Sequence, residues 1–354
     1  MRQWPRRALR FAPMMKRFLL ASLPVSVGLA LIAGFAACSS TTNSAGVAPD
    51  GGGGGTGAEA GTGDETSNSS GGEGGTVGGE TIPTPTACPT AKYKTLVVLG
   101  DSISDVGAGT ASEQPLYRTL LVKNDDAKYP EWKGFDLATC WMLDPTNGVV
   151  KASKGGAVAT VPMSNSPSDK SILLNQATGL PTTLAGPVLV VGTIGGNDVQ
   201  KGLVTVLTGT PAQVQMQIGQ FAAGFGQAMA ELTKADRFGA GVKVDVLMSN
   251  IYDPSGGSGH FYYEPKMGTC PGALGFWPDK KETKSQLDPW NAAMATEAAK
   301  YPGVKLVELR APFASHAVST PDPTNWFHED CIHPNALGQN AVRGVFWSGL
   351  VALP

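Results

Sequence analysis

Several absences narrow the reading before any motif is considered. No pair of the five cysteines is spaced Cys-x-x-Cys and none falls at metal-ligand spacing, so a zinc site is not expected. No internal repeat runs along the 354 residues, which argues against a solenoid or propeller. The first 37 residues hold no acid at all, only six bases: Arg2, Arg6, Arg7, Arg10, Lys16 and Arg17. Without them, 21 basic residues face 29 acidic ones, a formal charge of −8. A chain of that charge has no electrostatic footprint for nucleic acid. Residues 39–87 lack Lys and Arg entirely and hold almost nothing large and apolar, so they cannot bury a core.

What is present at the amino end is an export signal. The basic start runs into an apolar stretch from Phe18 to Ala37, the pattern of a secretory signal peptide. Phe35-Ala36-Ala37-Cys38 resembles the lipobox of bacterial lipoproteins, which implies a diacylglyceryl thioether on Cys38 and a location in the cell envelope, facing the periplasm or exterior. A plain signal peptide and an uncleaved anchor are the alternatives, because about 20 apolar residues can span a bilayer. Residues 38–87, rich in Gly, Ser and Thr with Gly51 to Gly55 unbroken, then read as a disordered tether. A flexible Gly-rich segment of that length reaches roughly 35–40 Å. The folded domain is expected over 88–354.

In that domain short apolar runs alternate with helical patterns. Leu96 to Leu99, Gly148 to Ala152, Pro187 to Val191, Val242 to Met248 and Val304 to Leu309 read as buried parallel strands. Ala212 to Lys234, Glu282 to Lys300 and Ala336 to Leu350 read as helices. Strands separated by helices imply right-handed βαβ units, hence a flavodoxin-like three-layer α/β/α sandwich with a mostly parallel sheet.

Four segments in this domain carry chemistry. The first strand ends in Gly100-Asp101-Ser102-Ile103-Ser104-Asp105, placing a serine just past the carboxyl end of a buried strand, where open α/β sheets bind ligands. A helix beginning there would aim backbone N–H groups at an anion. No serine sits in Gly-x-Ser-x-Gly, which excludes the strained nucleophile elbow of the α/β-hydrolases. A serine nucleophile needs a base, and only His260, His316, His328 and His333 exist. His333 closes Asp330-Cys331-Ile332-His333, and an acid three residues before a histidine can curl back onto its ring N–H. His328 has no acid at that spacing, and His260 lies in a Gly-rich loop that could line a substrate mouth. Gly195-Gly196-Asn197-Asp198 supplies an amide donor for a developing oxyanion, and Ser153-Lys154-Gly155-Gly156 a backbone N–H with no Cβ in the way. Asp105 and Asp198 are expected to hold loop backbone. Each segment alone also fits an ordinary turn.

Their order and placement together resemble the SGNH hydrolases, the GDSL-type esterases and lipases, over about Thr95 to Val342. That resemblance implies Ser102 as nucleophile, His333 as base and Asp330 as its orienting acid. It also implies an oxyanion hole from the Ser102 N–H, the Gly156 N–H and the Asn197 side chain, with Gly155 the rival of Gly156. The implied activity is hydrolysis of carboxylic esters through an acyl-enzyme, with no cofactor or metal. The substrate would be a small-molecule or carbohydrate ester, and the enzyme a monomer touching the membrane only through its lipid. The alternatives are a deacetylase-type esterase of acetylated carbohydrates and a non-catalytic surface binding lipoprotein. With Cys38 lipidated, four cysteines remain for two disulfides. Cys88 and Cys140 are expected near the amino-end face of the sheet, and Cys270 and Cys331 near the carboxyl-end face. The pairing is therefore expected to be Cys88–Cys140 and Cys270–Cys331, since Cα atoms beyond about 7 Å cannot be bridged.

Overall fold

The computed structural model describes residues 84–105, 115–257, 262–263, 268–269, 287–321 and 324–354. The signal segment, Cys38, the tether up to residue 83, His260 and Cys270 lie outside the described residues.

Every apolar run named above forms a strand. In chain order the elements are β1 (Thr95–Gly100), α1 (Ser102–Asp105), α2 (Tyr117–Val122), α3 (Leu137–Trp141), β2 (Val149–Lys151) and α4 (Leu173–Thr178). Next come β3 (Val188–Thr193), α5 (Gly196–Lys201), α6 (Leu203–Thr208), α7 (Pro211–Leu232) and β4 (Val244–Ser249). A short antiparallel ribbon, β5 (Tyr262–Tyr263) with β6 (Gly268–Thr269), precedes α8 (Asp288–Ala298), β7 (Val304–Val307), α9 (Arg310–Ala314) and α10 (Ala336–Val351).

The main sheet has the order β2-β1-β3-β4-β7 and all its pairings are parallel. This is the flavodoxin-like order. Every residue of β1 and β3 is buried, which explains why these segments read as continuous Leu/Val runs rather than as alternation. From β1 the chain steps one way to β2, then reverses and proceeds through β3, β4 and β7. Right-handed crossovers therefore put α2 and α3 on one face and α4, α7 and α8 on the other, and α10 returns to pack on α2. The reversal makes a topological switch point between β1 and β3, and a ligand crevice is expected outside their carboxyl ends.

Helix α7 starts where its sequence dictates. Thr210 and Gln213 form a reciprocal capping box and Pro211 occupies the first turn. Phe221, Phe225, Ala228, Met229 and Leu232 then form its buried stripe. Several elements are shorter than their apolar patterns. β7 stops at Val307 because the Asn250 side-chain oxygen accepts the N–H groups of Leu309 (2.7 Å) and Arg310 (3.2 Å), turning the chain into α9. Helix α8 begins at Asp288 with Pro289 in its first turn, where a missing N–H costs nothing.

Cys88 and Cys140 are joined, with Cα atoms 5.6 Å apart, as their common position at the amino-end face required. The Trp347 indole N–H donates to Ala87 O at 3.2 Å, tying the first described residues to α10. Cys331 is also disulfide-bonded; its expected partner, Cys270, lies outside the described residues.

Candidate active site

The switch point gathers all four chemical segments. Gly100 ends β1 at φ +106°, and a Cβ there would lie 2.0 Å from Thr193 O. Only glycine lets β1 and β3 approach so closely while the chain turns. The turn is clamped by Gln176, a fully buried side chain from α4. Its Oε1 accepts the Gly100 N–H at 2.7 Å, and its Nε2 donates to Gly100 O and to Lys170 O, each at 2.9 Å. Ser102 then opens α1, half-buried, at the mouth of an open cleft. Ile103, Ile194, Ile251, Tyr252 and Ile332 supply much of its apolar wall, and Asn197 and Gln200 its polar side.

His333 arrives from the opposite end of the chain. Its Nδ1 lies 2.6 Å from Asp330 Oδ2, and its Nε2 lies 2.7 Å from Ser102 Oγ. Because Asp330 accepts, Nδ1 carries the proton and Nε2 is the acceptor to which the Ser102 hydroxyl donates. The other carboxylate oxygen of Asp330 accepts the N–H groups of Ile332 and His333, both at 2.9 Å. Burial pushes the Asp330 carboxyl up, but the His333 hydrogen bond and charge, with these two N–H groups, outweigh it and hold it below the ordinary carboxylate value. The curl needs Cys331 at φ +65°, in the left-handed region. The Cys331 N–H donates to His328 O at 2.9 Å and the His328 N–H to His333 O at 2.8 Å, closing the loop. The His328 ring is 3.9 Å from Asp330 but does not reach Ser102 in the way His333 does.

Two N–H groups in these segments are left without a partner among the described residues. Gly155 and Gly156 form a turn closed by Ala157 N–H to Lys154 O at 3.1 Å, with Gly156 at φ +75°. The Gly155 N–H is taken by Asp105 Oδ2 at 2.8 Å, whereas the Gly156 N–H has no partner among the described residues. Geometry thus separates the two glycines that the sequence left as rivals. Asn197, in the first turn of α5, donates one amide N–H to Ala157 O at 3.1 Å and retains a second.

Beneath these groups lies a supporting layer. Asp198 is buried and accepts the N–H groups of Ala159 (2.9 Å) and Thr160 (2.8 Å), which ties the Gly156 loop to α5. Asp105 is paired with Lys151 as well as Gly155. Asp101 is buried beside the nucleophile. Its Oδ1 accepts the Thr193 hydroxyl at 2.7 Å and the Ile103 N–H at 3.2 Å. Ser104 Oγ lies 2.9 Å from Thr193 Oγ1 and 2.8 Å from Tyr117 OH, so hydroxyls run from Tyr117 through Ser104 and Thr193 to Asp101. Burial pushes the Asp101 carboxyl up to about 6, with the Thr193 and Ile103 hydrogen bonds and the nearby His333 opposing it. Among the described residues no group of His, Cys, Asp and Glu is arranged to hold a metal ion.

Sequence reading named Ser102, Asp330 and His333, which the structure joins in one hydrogen-bonded relay, and Asn197, whose amide meets the Gly156 loop; it assigned Asp105 and Asp198 to loop backbone, which both hold. It missed Gln176, Thr193 and Tyr252, which have no motif of their own. Gln176 lies in α4, outside the helices read from the sequence, and is fully buried.

The family model described as the GDSL-like Lipase/Acylhydrolase family matches residues 98–341. The chain belongs to this family. It is a carboxylic ester hydrolase by that membership, the chemistry of an acylhydrolase. Among solved structures it is similar to an extracellular lipase from Streptomyces rimosus, at 22% identity over 72% of this chain and 99% of that one, TM-score 0.39. It is also similar to phospholipase A1 from Streptomyces albidoflavus NA297, at 22% identity over 73% of this chain and 98% of that one, TM-score 0.40. A third is a carbohydrate acetylesterase from Sinorhizobium meliloti, at 14% identity over 74% and 100%, TM-score 0.40. Among curated proteins there is no match.

Proposed function

We propose that this family member hydrolyses esters through an acyl-enzyme on Ser102, with His333 as general base and Asp330 as its orienting acid. One observation carries the reading: the unbroken relay from Asp330 through His333 to Ser102, at 2.6 Å and 2.7 Å. His333 Nε2 takes the Ser102 proton as Oγ attacks the carbonyl carbon, and Asp330 stabilises the imidazolium that forms. The N–H groups of Ser102 and Gly156 and the second amide N–H of Asn197 receive the oxyanion of the tetrahedral intermediate. Removing one such donor typically costs about 3–4 kcal/mol of transition-state stabilisation. His333 then protonates the departing alkoxide, and a water molecule repeats the sequence on the acyl-enzyme.

Ser102→Ala is the direct test. The wild-type protein should hydrolyse p-nitrophenyl acetate and label with a fluorophosphonate probe, and the variant should do neither. Covalent labelling that survives in Ser102→Ala would mean another nucleophile. A chain-length series of p-nitrophenyl esters, run beside an acetylated oligosaccharide, separates a lipase from a carbohydrate deacetylase.

We further propose that the enzyme is a lipoprotein of the cell envelope. The support is the basic and apolar start followed by Phe35-Ala36-Ala37-Cys38, and the charge-poor tether that follows it. Among the described residues no helix is long and apolar enough to cross a membrane. On this reading the lipid on Cys38 is the attachment, and the tether lets the hydrolase domain act at a distance from the surface.

A further inference from the structure

Tyr252 lies just past the end of β4, buried, and its hydroxyl donates to Ile332 O at 2.6 Å, across 80 residues of sequence. The Ile332 carbonyl belongs to the peptide that leads into His333. The hydrogen bond thus joins the loop of His333 to the end of β4, two segments far apart in the chain. Other hydrogen bonds are internal to the C-terminal segment, such as Asn335 Nδ2 to Asn325 O at 2.8 Å and His328 N–H to His333 O at 2.8 Å. These bonds shape the loop itself.

The Tyr252 ring is itself held rigidly. It stacks on Phe313, with centroids 4.9 Å apart and planes at 20°, and tilts against Phe327 at 5.6 Å. Burial first, then the nearby carboxylates of Asp101 and Asp330, keep the phenol protonated, so it remains a donor. Packing alone would be satisfied by phenylalanine. The hydroxyl adds only the link to the Ile332 peptide.

We propose that Tyr252 is a positioning residue for acyl transfer: its hydroxyl struts the loop of His333 against the end of β4 and so holds the imidazole at hydrogen-bonding distance from Ser102. The proposal rests on the assignment of Ser102 and His333 as nucleophile and base. Reacting groups lose rate steeply with small misplacements, so the effect should appear in turnover rather than in substrate binding.

The test is Tyr252→Phe, which keeps the ring and removes the hydroxyl. With p-nitrophenyl acetate, kcat should fall about tenfold, in line with the sensitivity of effective molarity to geometry, while KM stays the same. Fluorophosphonate labelling should slow by the same factor, because both reactions need His333 to take the Ser102 proton. Phe225→Leu, in the buried stripe of α7, serves as a control for destabilisation and should lower Tm without slowing either reaction. A Tyr252→Phe enzyme that labels and turns over at the wild-type rate overturns the proposal, whatever its Tm. So does an equal slowing in Phe225→Leu. Absence of labelling in the wild-type protein would instead overturn the assignment of Ser102, and the role of Tyr252 with it.

Discussion

Replacing Asp330 by asparagine changes two atoms' worth of chemistry and almost no shape, and its outcome can be worked out from the hydrogen bonds. In the native loop one oxygen of Asp330 accepts two backbone N–H groups, at 2.9 Å each, and the other accepts the His333 Nδ1–H at 2.6 Å. Asparagine has one acceptor oxygen. The two backbone donors claim it, because an amide NH₂ facing them would leave both unpaired. The NH₂ then faces Nδ1 and donates to it, so the imidazole proton moves to Nε2. Nε2 points at Ser102 Oγ across 2.7 Å. A protonated Nε2 cannot accept the serine proton, and the base is lost while the geometry persists. The expected fall in kcat is on the order of 10³–10⁴, or about 4–5.5 kcal/mol of barrier. The assay is steady-state hydrolysis of p-nitrophenyl acetate, with circular dichroism to show that the fold is kept. The same variant should lose one pH dependence. The native carboxyl, held below its ordinary value, contributes stability that is present above that value and lost as the pH falls through the folded one. Asparagine at 330 should flatten that acid limb. An Asp330→Asn enzyme that keeps a tenth or more of wild-type kcat would refute the tautomer argument and move the base elsewhere, with His328 the first candidate to examine.

Other perturbations test the layers around the triad. Asp101 has its carboxyl raised to about 6, so the group costs stability as the pH rises from about 4 through 6, by about 3 kcal/mol in all. Asp101→Asn should therefore gain most over wild type in urea melts at pH 7.5 and least at pH 4.5; an equal gain at both would contradict the burial argument. Gly100→Ala places a Cβ 2.0 Å from Thr193 O at φ +106°, and should cost about 3 kcal/mol or more through strain and overpacking. A urea midpoint like that of wild type would disprove the tight β1–β3 approach. Cys38→Ser should release the protein from the membrane fraction or block its maturation, and unchanged retention with normal processing would sink the lipid anchor.

Much of this molecule was legible without coordinates, for a definite reason. Buried parallel strands must be apolar on both faces, so Leu96 to Leu99 and Pro187 to Val191 announce themselves, and the fully buried strands begin at Thr95 and Val188. Once the strands are placed, the rule that ligands sit at their carboxyl ends turns Ser102 and Asn197 into neighbours. Asp330 and His333 are three residues apart, so their contact is local and readable from spacing. What tertiary structure alone decided is every choice that depends on a distant partner. Gly155 and Gly156 are equivalent in a string of letters; only the Asp105 carboxylate, folded back from α1, consumes one N–H and leaves the other. Gln176 and Gly100 are 76 residues apart, and nothing in either segment foretells that an amide will clamp the nucleophile turn from both sides. Tyr252 reads as one more core aromatic until its hydroxyl meets Ile332 O. Periodicity and spacing report the demands of burial and of nearby chain. Long-range hydrogen bonds are set by how the layers pack, and that is fixed only when the sheet closes around its switch point.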